Sequence, residues 1–277
     1  MHNLQPINTS TIDEFDLIHN SKQEPTYTIL TNLRPSIVNK YNDYDIEFNT
    51  NSLENIPTVI HSLKNKNGLL HCYKNKTNAK DQLIVNIKEN QSAHLRSTCQ
   101  FCGLDPSRTT DHFMPKDDYP EFCVNHKNLI PCCSSCNAYK GEYLIDIRTN
   151  TRGILNLYTD QLPIVQFVFV AIRYVGGVPI ANFSLRNPNR INPILFQIIE
   201  YHFERLHLLE RYNDVFNTEY KQILSSFKDP HYNGNRALVS RILTNDANSL
   251  FGDYGRNYYK AIIKESLANN ASFLNLF

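Results

Sequence analysis

Two Cys-x-x-Cys pairs, Cys99-Gln-Phe-Cys102 and Cys133-Ser-Ser-Cys136, separated by about thirty residues, constrain this chain more than any other feature. Each pair bends the backbone so that two sulfurs face one point, and bringing the pairs together closes a loop at a cost of only a few kcal/mol. Four thiolates in that arrangement are the ligand set of a structural, tetrahedral zinc site, for which metal binding and folding are one equilibrium. Cys132 adds an ambiguity of register, because it forms a Cys-x-x-x-Cys pair with Cys136. The commoner two-residue spacing favours Cys133. The remaining cysteines are Cys72 and Cys123, giving seven in all. An odd count without an apolar N-terminal run points to metal thiolates in a soluble, cytoplasmic protein and away from disulfides. A zinc ion closed by four cysteines has no open position, so any chemistry must come from other residues.

Those residues lie between and beside the knuckles. Residues 109–113, Thr-Thr-Asp-His-Phe, read as a short strand in which Asp111 and His112 point to opposite faces. A carboxylate and an imidazole so divided suit two tasks, holding a hard divalent cation and reaching a water. Asn137 follows Cys136 directly, so a thiolate ligand fixes its backbone and its amide oxygen is a second hard donor. Lys140, one helical turn further, is expected to face the same phosphate. Lys116, His126 and Lys127 add local positive charge, partly offset by Asp117, Asp118 and Glu121.

At these positions the chain resembles the HNH, or ββα-metal, nuclease family over roughly residues 95–145. The resemblance rests on the knuckles, the Asp111-His112 pair, the run Asn128-Leu-Ile-Pro and the ending Cys136-Asn137-Ala-Tyr-Lys140. It implies a zinc-stapled ββα-metal core, and with the helical flanks and C-terminal β-hairpin read below the expected fold is α+β, that core embedded in a mainly helical protein. It further implies that His112 is the general base, that Asp111 and Asn137 hold a catalytic magnesium or manganese ion, and that Asn128 fixes the His112 loop. Asn137 stands where many members carry histidine. The phrase that begins at Asp111-His112-Phe-Met-Pro-Lys116 is similar to stand-alone HNH proteins of bacterial anti-phage systems of the Septu or retron-associated type. That likeness implies a DNA endonuclease, with RNA as the alternative substrate, an ATPase partner, homo-oligomerisation as the route to double-strand cleavage, and no membrane. The rival readings are a non-catalytic zinc module that binds nucleic acid or protein, and a restriction or homing enzyme.

The flanks read as scaffold. Lys plus Arg number 28 against 27 Asp plus Glu, so no net field marks a nucleic-acid binder. Residues 1–24 are polar and expected to be partly flexible. Short helices broken near Pro35, a helix from about Pro57 with Gly68 near its end, and another over 80–90 complete an N-terminal scaffold assigned to residues 1–94. The nuclease module is assigned to 95–150, with a helix continuation over 141–153, and the remainder to 151–277. There two β-rich runs flank Gly176-Gly177 as a hairpin, and Pro193 opens a long apolar helix reaching Phe227. That helix is a candidate partner-docking surface, with core packing as the plainer alternative. A break at Asp229-Pro230 and shorter helices over 236–243 and 258–269 follow. The most apolar segment, 162–170, is too short to span a bilayer.

Overall fold

The computed structural model describes residues 1–277 and divides them into two compact units, Asn3–Gln161 and a second formed by Met1–His2 with Leu162–Phe277. The protein is mainly helical, with three small antiparallel hairpins. No helix is long and apolar enough to cross a membrane.

In the unit Asn3–Gln161, five helices precede the cysteine-rich module: α1 (Thr11–Asn20), α2 (Thr26–Thr50), α3 (Leu63–Lys74), α4 (Asn78–Glu89) and α5 (Ala93–Ser97). The N-terminal segment is ordered, contrary to its polar appearance. Ser10 caps α1 by accepting from the Asp13 N–H, and Phe15 and Ile18 are buried. Pro35 does not break α2, which runs through it. The buried residues Leu30, Ile37, Tyr41, Tyr44 and Phe48 recur at helical spacing, and their packing outweighs the hydrogen bond lost at proline. The expected start at Pro57 is also corrected. Ser62 caps α3 through the Asn65 N–H, and Gly68 lies inside the helix against Ile29.

The module that follows is a two-stranded hairpin and a helix, β1 (Thr109–His112), β2 (Leu129–Cys132) and α6 (Ser134–Lys140). Its register pairs Asp111 with Ile130 and His112 with Leu129. Pro131 is tolerated because it faces Thr110 at a pair that exchanges no ladder bonds. The Phe113 N–H donates to the Asn128 carbonyl, which sets the alternation. The outward carbonyls of this ladder are taken by side chains: Thr110 O accepts from Tyr73, His112 O from Lys140, and Leu129 O from Tyr158. Helix α6 stops at Gly141, whose φ of 53° ends it in place of the expected continuation. A short hairpin, β3 (Ile145–Asp146) with β4 (Thr151–Arg152), follows. Buried Arg152 then clamps Asp160 with two bonds of 2.7 and 2.6 Å. The N-terminal helices and the module therefore share one compact unit, which ends at Gln161.

In the other unit, β5 (Val168–Val175) and β6 (Val178–Leu185) form the hairpin around Gly176 and Gly177. Both glycines have positive φ, as a two-residue turn matched to strand twist requires. Five helices follow: α7 (Pro193–Arg205), α8 (Leu208–Ser226), α9 (Arg236–Tyr254), α10 (Tyr259–Ala268) and α11 (Ala271–Leu274). The single long helix expected after Pro193 is two, broken where His207 takes a left-handed φ of 52°. Ile198, Ile199 and Phe203 of α7 are buried, so most of its apolar stripe is core. Asn257 accepts from the Phe167 and Val168 N–H groups and donates to the Val165 carbonyl, which fixes where β5 begins.

Candidate active site beside a four-cysteine metal centre

The sulfurs of Cys99, Cys102, Cys133 and Cys136 all lie within 4.8 Å of one another and are buried. Cys102 and Cys133 are 3.8 Å apart. The edge of a tetrahedron with metal–sulfur bonds of about 2.3 Å is also about 3.8 Å, so the cluster has the dimensions of a structural metal site. Both knuckles turn N–H groups onto sulfur: Leu104 donates to Cys102 and Cys136 to Cys133, each at 3.4 Å. Gly103 takes a φ of 70° behind the first knuckle. The ambiguity between Cys132 and Cys133 is resolved by their backbone roles. Cys132 ends β2 and its thiol meets the Thr109 hydroxyl at 3.4 Å, outside the cluster. Cys133 is the N-cap of α6 and its side chain turns into the cluster.

The strand leaving the first knuckle carries Asp111 and His112, both buried. Burial pushes the Asp111 carboxyl up to about 6, although the neighbouring Lys140 pulls the other way. Burial pulls the His112 imidazole down to about 3, which leaves it neutral at pH 7. Its Nε2 lies 2.9 Å from the Cys123 carbonyl oxygen. A carbonyl can only accept, so in the neutral ring Nε2 carries the hydrogen and Nδ1 keeps its lone pair. The Tyr73 ring meets the imidazole edge-on at 4.3 Å.

Asn128 is fully buried and spans the loop after His112. Its Oδ1 accepts from the Met114 N–H at 2.8 Å, and its Nδ2 donates to the carbonyls of Met114 and Phe122 at 3.1 and 3.2 Å. Phe122 is packed by Tyr44 at 4.8 Å, so α2 reaches this loop directly. Lys140 is not where a phosphate contact needs it. It is buried, with Nζ 3.0 Å from the Asp111 carboxylate and 2.7 Å from the His112 carbonyl oxygen. The short α6 directs it inward, and its charge is spent inside the module.

Asn137 is half-buried and lines an open cleft of about 690 Å³ with Tyr73, Thr109 and Thr110. The same cleft is bordered by Lys74, Lys80, Arg108 and Lys116, against the single acid Asp81. Asp117 is held below the usual carboxylate range because hydrogen bonding and charge from Lys116, with Lys74 and Lys66 further off, outweigh its desolvation. This concentration of cations comes from α3, α4 and the residues on either side of β1, and the near-zero net charge conceals it. Tyr73 and Cys123 are the neighbours of His112 that sequence reasoning missed. Tyr73 comes from a helix 39 residues away and Cys123 contributes a backbone carbonyl across a loop, so no local spacing signals them.

Among curated proteins, the chain is 28% identical to protein ea31 of Escherichia phage lambda over 167 residues, which are 59% of this chain and 55% of that one. It is 52% identical to Septu protein PtuB of Bacillus thuringiensis over 45 residues, 15% of this chain and 18% of PtuB. The matched regions thus span about half of the first relative and under a fifth of the second. No family model matches the chain, and no solved structure does.

Proposed function

We propose that this protein, a metal-binding chain built around its four-cysteine centre, is an HNH-type endonuclease that hydrolyses DNA and serves as the nuclease of a bacterial anti-phage system. One observation carries the catalytic reading. His112 is a buried, neutral imidazole whose Nε2–H is committed to the Cys123 carbonyl, which leaves Nδ1 as the basic nitrogen. A general base needs a defined tautomer, and the bond to the Cys123 carbonyl supplies it. In this reading His112 takes a proton from the water that attacks phosphorus.

Asp111 and Asn137 would hold the magnesium or manganese ion. The donor set, a buried carboxylate and an amide oxygen, is of the hard-oxygen kind that such a cation takes. When bound, the ion supplies charge stabilisation at a phosphoryl oxygen and at the leaving 3′ oxygen. Lys140 orients Asp111 and the end of β1, Asn128 holds the following loop, and zinc on the four cysteines anchors both ends. The cations around the cleft offset phosphate charge, independently of sequence. One base serves one strand, so double-strand cleavage needs two sites, through an oligomer or successive nicks. The match to a Septu protein supports the defence role, and an ATPase partner is what the resemblance of the module implies.

A second reading, a non-catalytic metal module that binds nucleic acid or protein, is favoured by the Lys140–Asp111 ion pair, which already neutralises the proposed ligand. The two readings separate in a cleavage assay with zinc-loaded protein, plasmid and RNA substrates, and titrated magnesium or manganese. The nuclease reading expects metal-dependent cleavage, and His112→Ala loses about 10²–10⁴-fold while keeping its zinc. Binding without cleavage in the wild type selects the second reading. Undiminished cleavage by His112→Ala removes the mechanism.

A further inference from the structure

We propose that Tyr73, on α3 outside the hairpin-and-helix module, is a positioning residue that holds the His112 imidazole in its Nδ1-basic orientation. The proposal rests on the nuclease reading for its catalytic consequence, while the positioning itself is a property of the fold.

The Cys123 carbonyl grips His112 at one point, Nε2. A ring held at one nitrogen still swings about that bond. Tyr73 supplies the missing constraint, meeting the imidazole with an interplanar angle of 73° at a centroid distance of 4.3 Å. Edge-to-face contact of this kind has a preferred geometry beyond its burial of area. Both the helix and the tyrosine itself are tied to this cage. The tyrosine hydroxyl donates to the Thr110 carbonyl at 3.3 Å, two residues before His112 on β1. One turn earlier on the same helix, the Leu69 carbonyl accepts from the Cys123 thiol at 3.0 Å, on the residue whose carbonyl receives the imidazole. Tyr73 therefore touches the strand that carries His112 and the ring of His112, and its helix holds the residue that anchors Nε2.

Its position on α3 argues against simple core filling. Leu69, Leu70 and Cys72 make the buried face of that helix, whereas Tyr73 is half-buried and borders the cleft beside Asn137. It lines the cleft with its ring against the imidazole. Without the ring, water competes for Nε2 and for the Cys123 carbonyl, and the neutral imidazole spreads over both tautomers. The N-terminal helices then contribute to the reaction directly, through one aromatic edge.

The test uses the zinc-loaded full chain as wild type, Tyr73→Phe and Tyr73→Leu. Side-chain ¹⁵N NMR of His112 reads the tautomer without any need for activity, and steady-state cleavage reads kcat and KM separately. Wild type and Tyr73→Phe are expected to hold a single Nε2–H tautomer, and Tyr73→Leu a mixture. With activity, Tyr73→Leu lowers kcat by about 10- to 100-fold with KM nearly unchanged, and Tyr73→Phe restores most of it. If Tyr73→Leu fails to retain zinc, Tyr73→Met fills the space without an aromatic edge and takes its place. A wild-type tautomer in the leucine or methionine variant overturns the proposal. So does a defect confined to KM, which would make Tyr73 a substrate contact. A wild type that cleaves neither DNA nor RNA overturns the nuclease reading alone, and the NMR result still decides the role of Tyr73.

Discussion

Replacing Asn128 with alanine removes three strong bonds at once from a fully buried site. The losses are unequal. Phe122 O still accepts from the Asn125 N–H, and the Tyr44 hydroxyl still has the Lys127 carbonyl. The Met114 N–H loses Asn128 Oδ1 and the Met114 carbonyl loses Asn128 Nδ2, both deep in the unit. An orphaned buried donor costs about 1–3 kcal/mol, an under-satisfied carbonyl somewhat less, and the cavity about 1 kcal/mol more, for about 3–5 kcal/mol in total. Because the chain has two compact units, a global melting curve mixes them, and amide exchange is the cleaner assay. The Met114 amide reports the affected bond directly, and its protection is expected to fall by about 100- to 5,000-fold. Asn128→Asp keeps the acceptor for the Met114 N–H but turns an oxygen toward two carbonyls, so it protects Met114 better than alanine yet remains destabilised. A change under about tenfold in the alanine variant refutes the claim that Asn128 holds this loop.

Chelation of the four-cysteine metal is expected to unfold the module, and Cys136→Ser to lose metal and fold together; elemental analysis with circular dichroism checks both, and full metal occupancy in the variant would contradict the ligand set. His126 is buried with Nε2 on the Thr9 carbonyl at 3.1 Å, and burial pulls it down to about 4. The unfolded chain binds that proton from about pH 6.5, so stability falls as pH drops from 6.5 toward 4; urea unfolding at pH 7 and pH 5 should show a loss of about 2 kcal/mol that His126→Gln lacks. A methyl group at Gly68 would lie 2.7 Å from Ile29 Cγ2, on a stiff β-branched side chain. Gly68→Ala is therefore expected to destabilise by about 1–3 kcal/mol in urea titration, despite the usual gain in helix propensity. Lys140→Met leaves the Asp111 carboxylate buried without its cation, at a cost of about 3–5 kcal/mol by the same measurement.

What the sequence by itself determined is local chemistry. Two knuckles specify their sulfurs because each needs only four consecutive residues, and the four that converge are among those the spacing singled out. The strand over 109–112 and the hairpin around Gly176-Gly177 were legible for the same reason, since residue alternation and turn geometry are set by neighbours in the chain. The helix limits were less legible. Pro35 reads as a breaker until the packing of Tyr41 and Tyr44 is known, and Gly68 reads as a stop until Ile29 is seen against it.

Only the tertiary structure decided which groups meet. Cys132 and Cys133 are adjacent, and their separation into strand end and helix cap follows from where β2 finishes. Lys140 looked like a phosphate contact from helical spacing, yet the direction of α6 turns it onto Asp111 and the His112 carbonyl. Tyr73 is 39 residues from His112, and the cations of the cleft come from several elements. Spacing along a chain fixes direction within one element only. Which face of that element is buried, and against what, is set by packing between elements, where the energies of desolvation and ion pairing are decided.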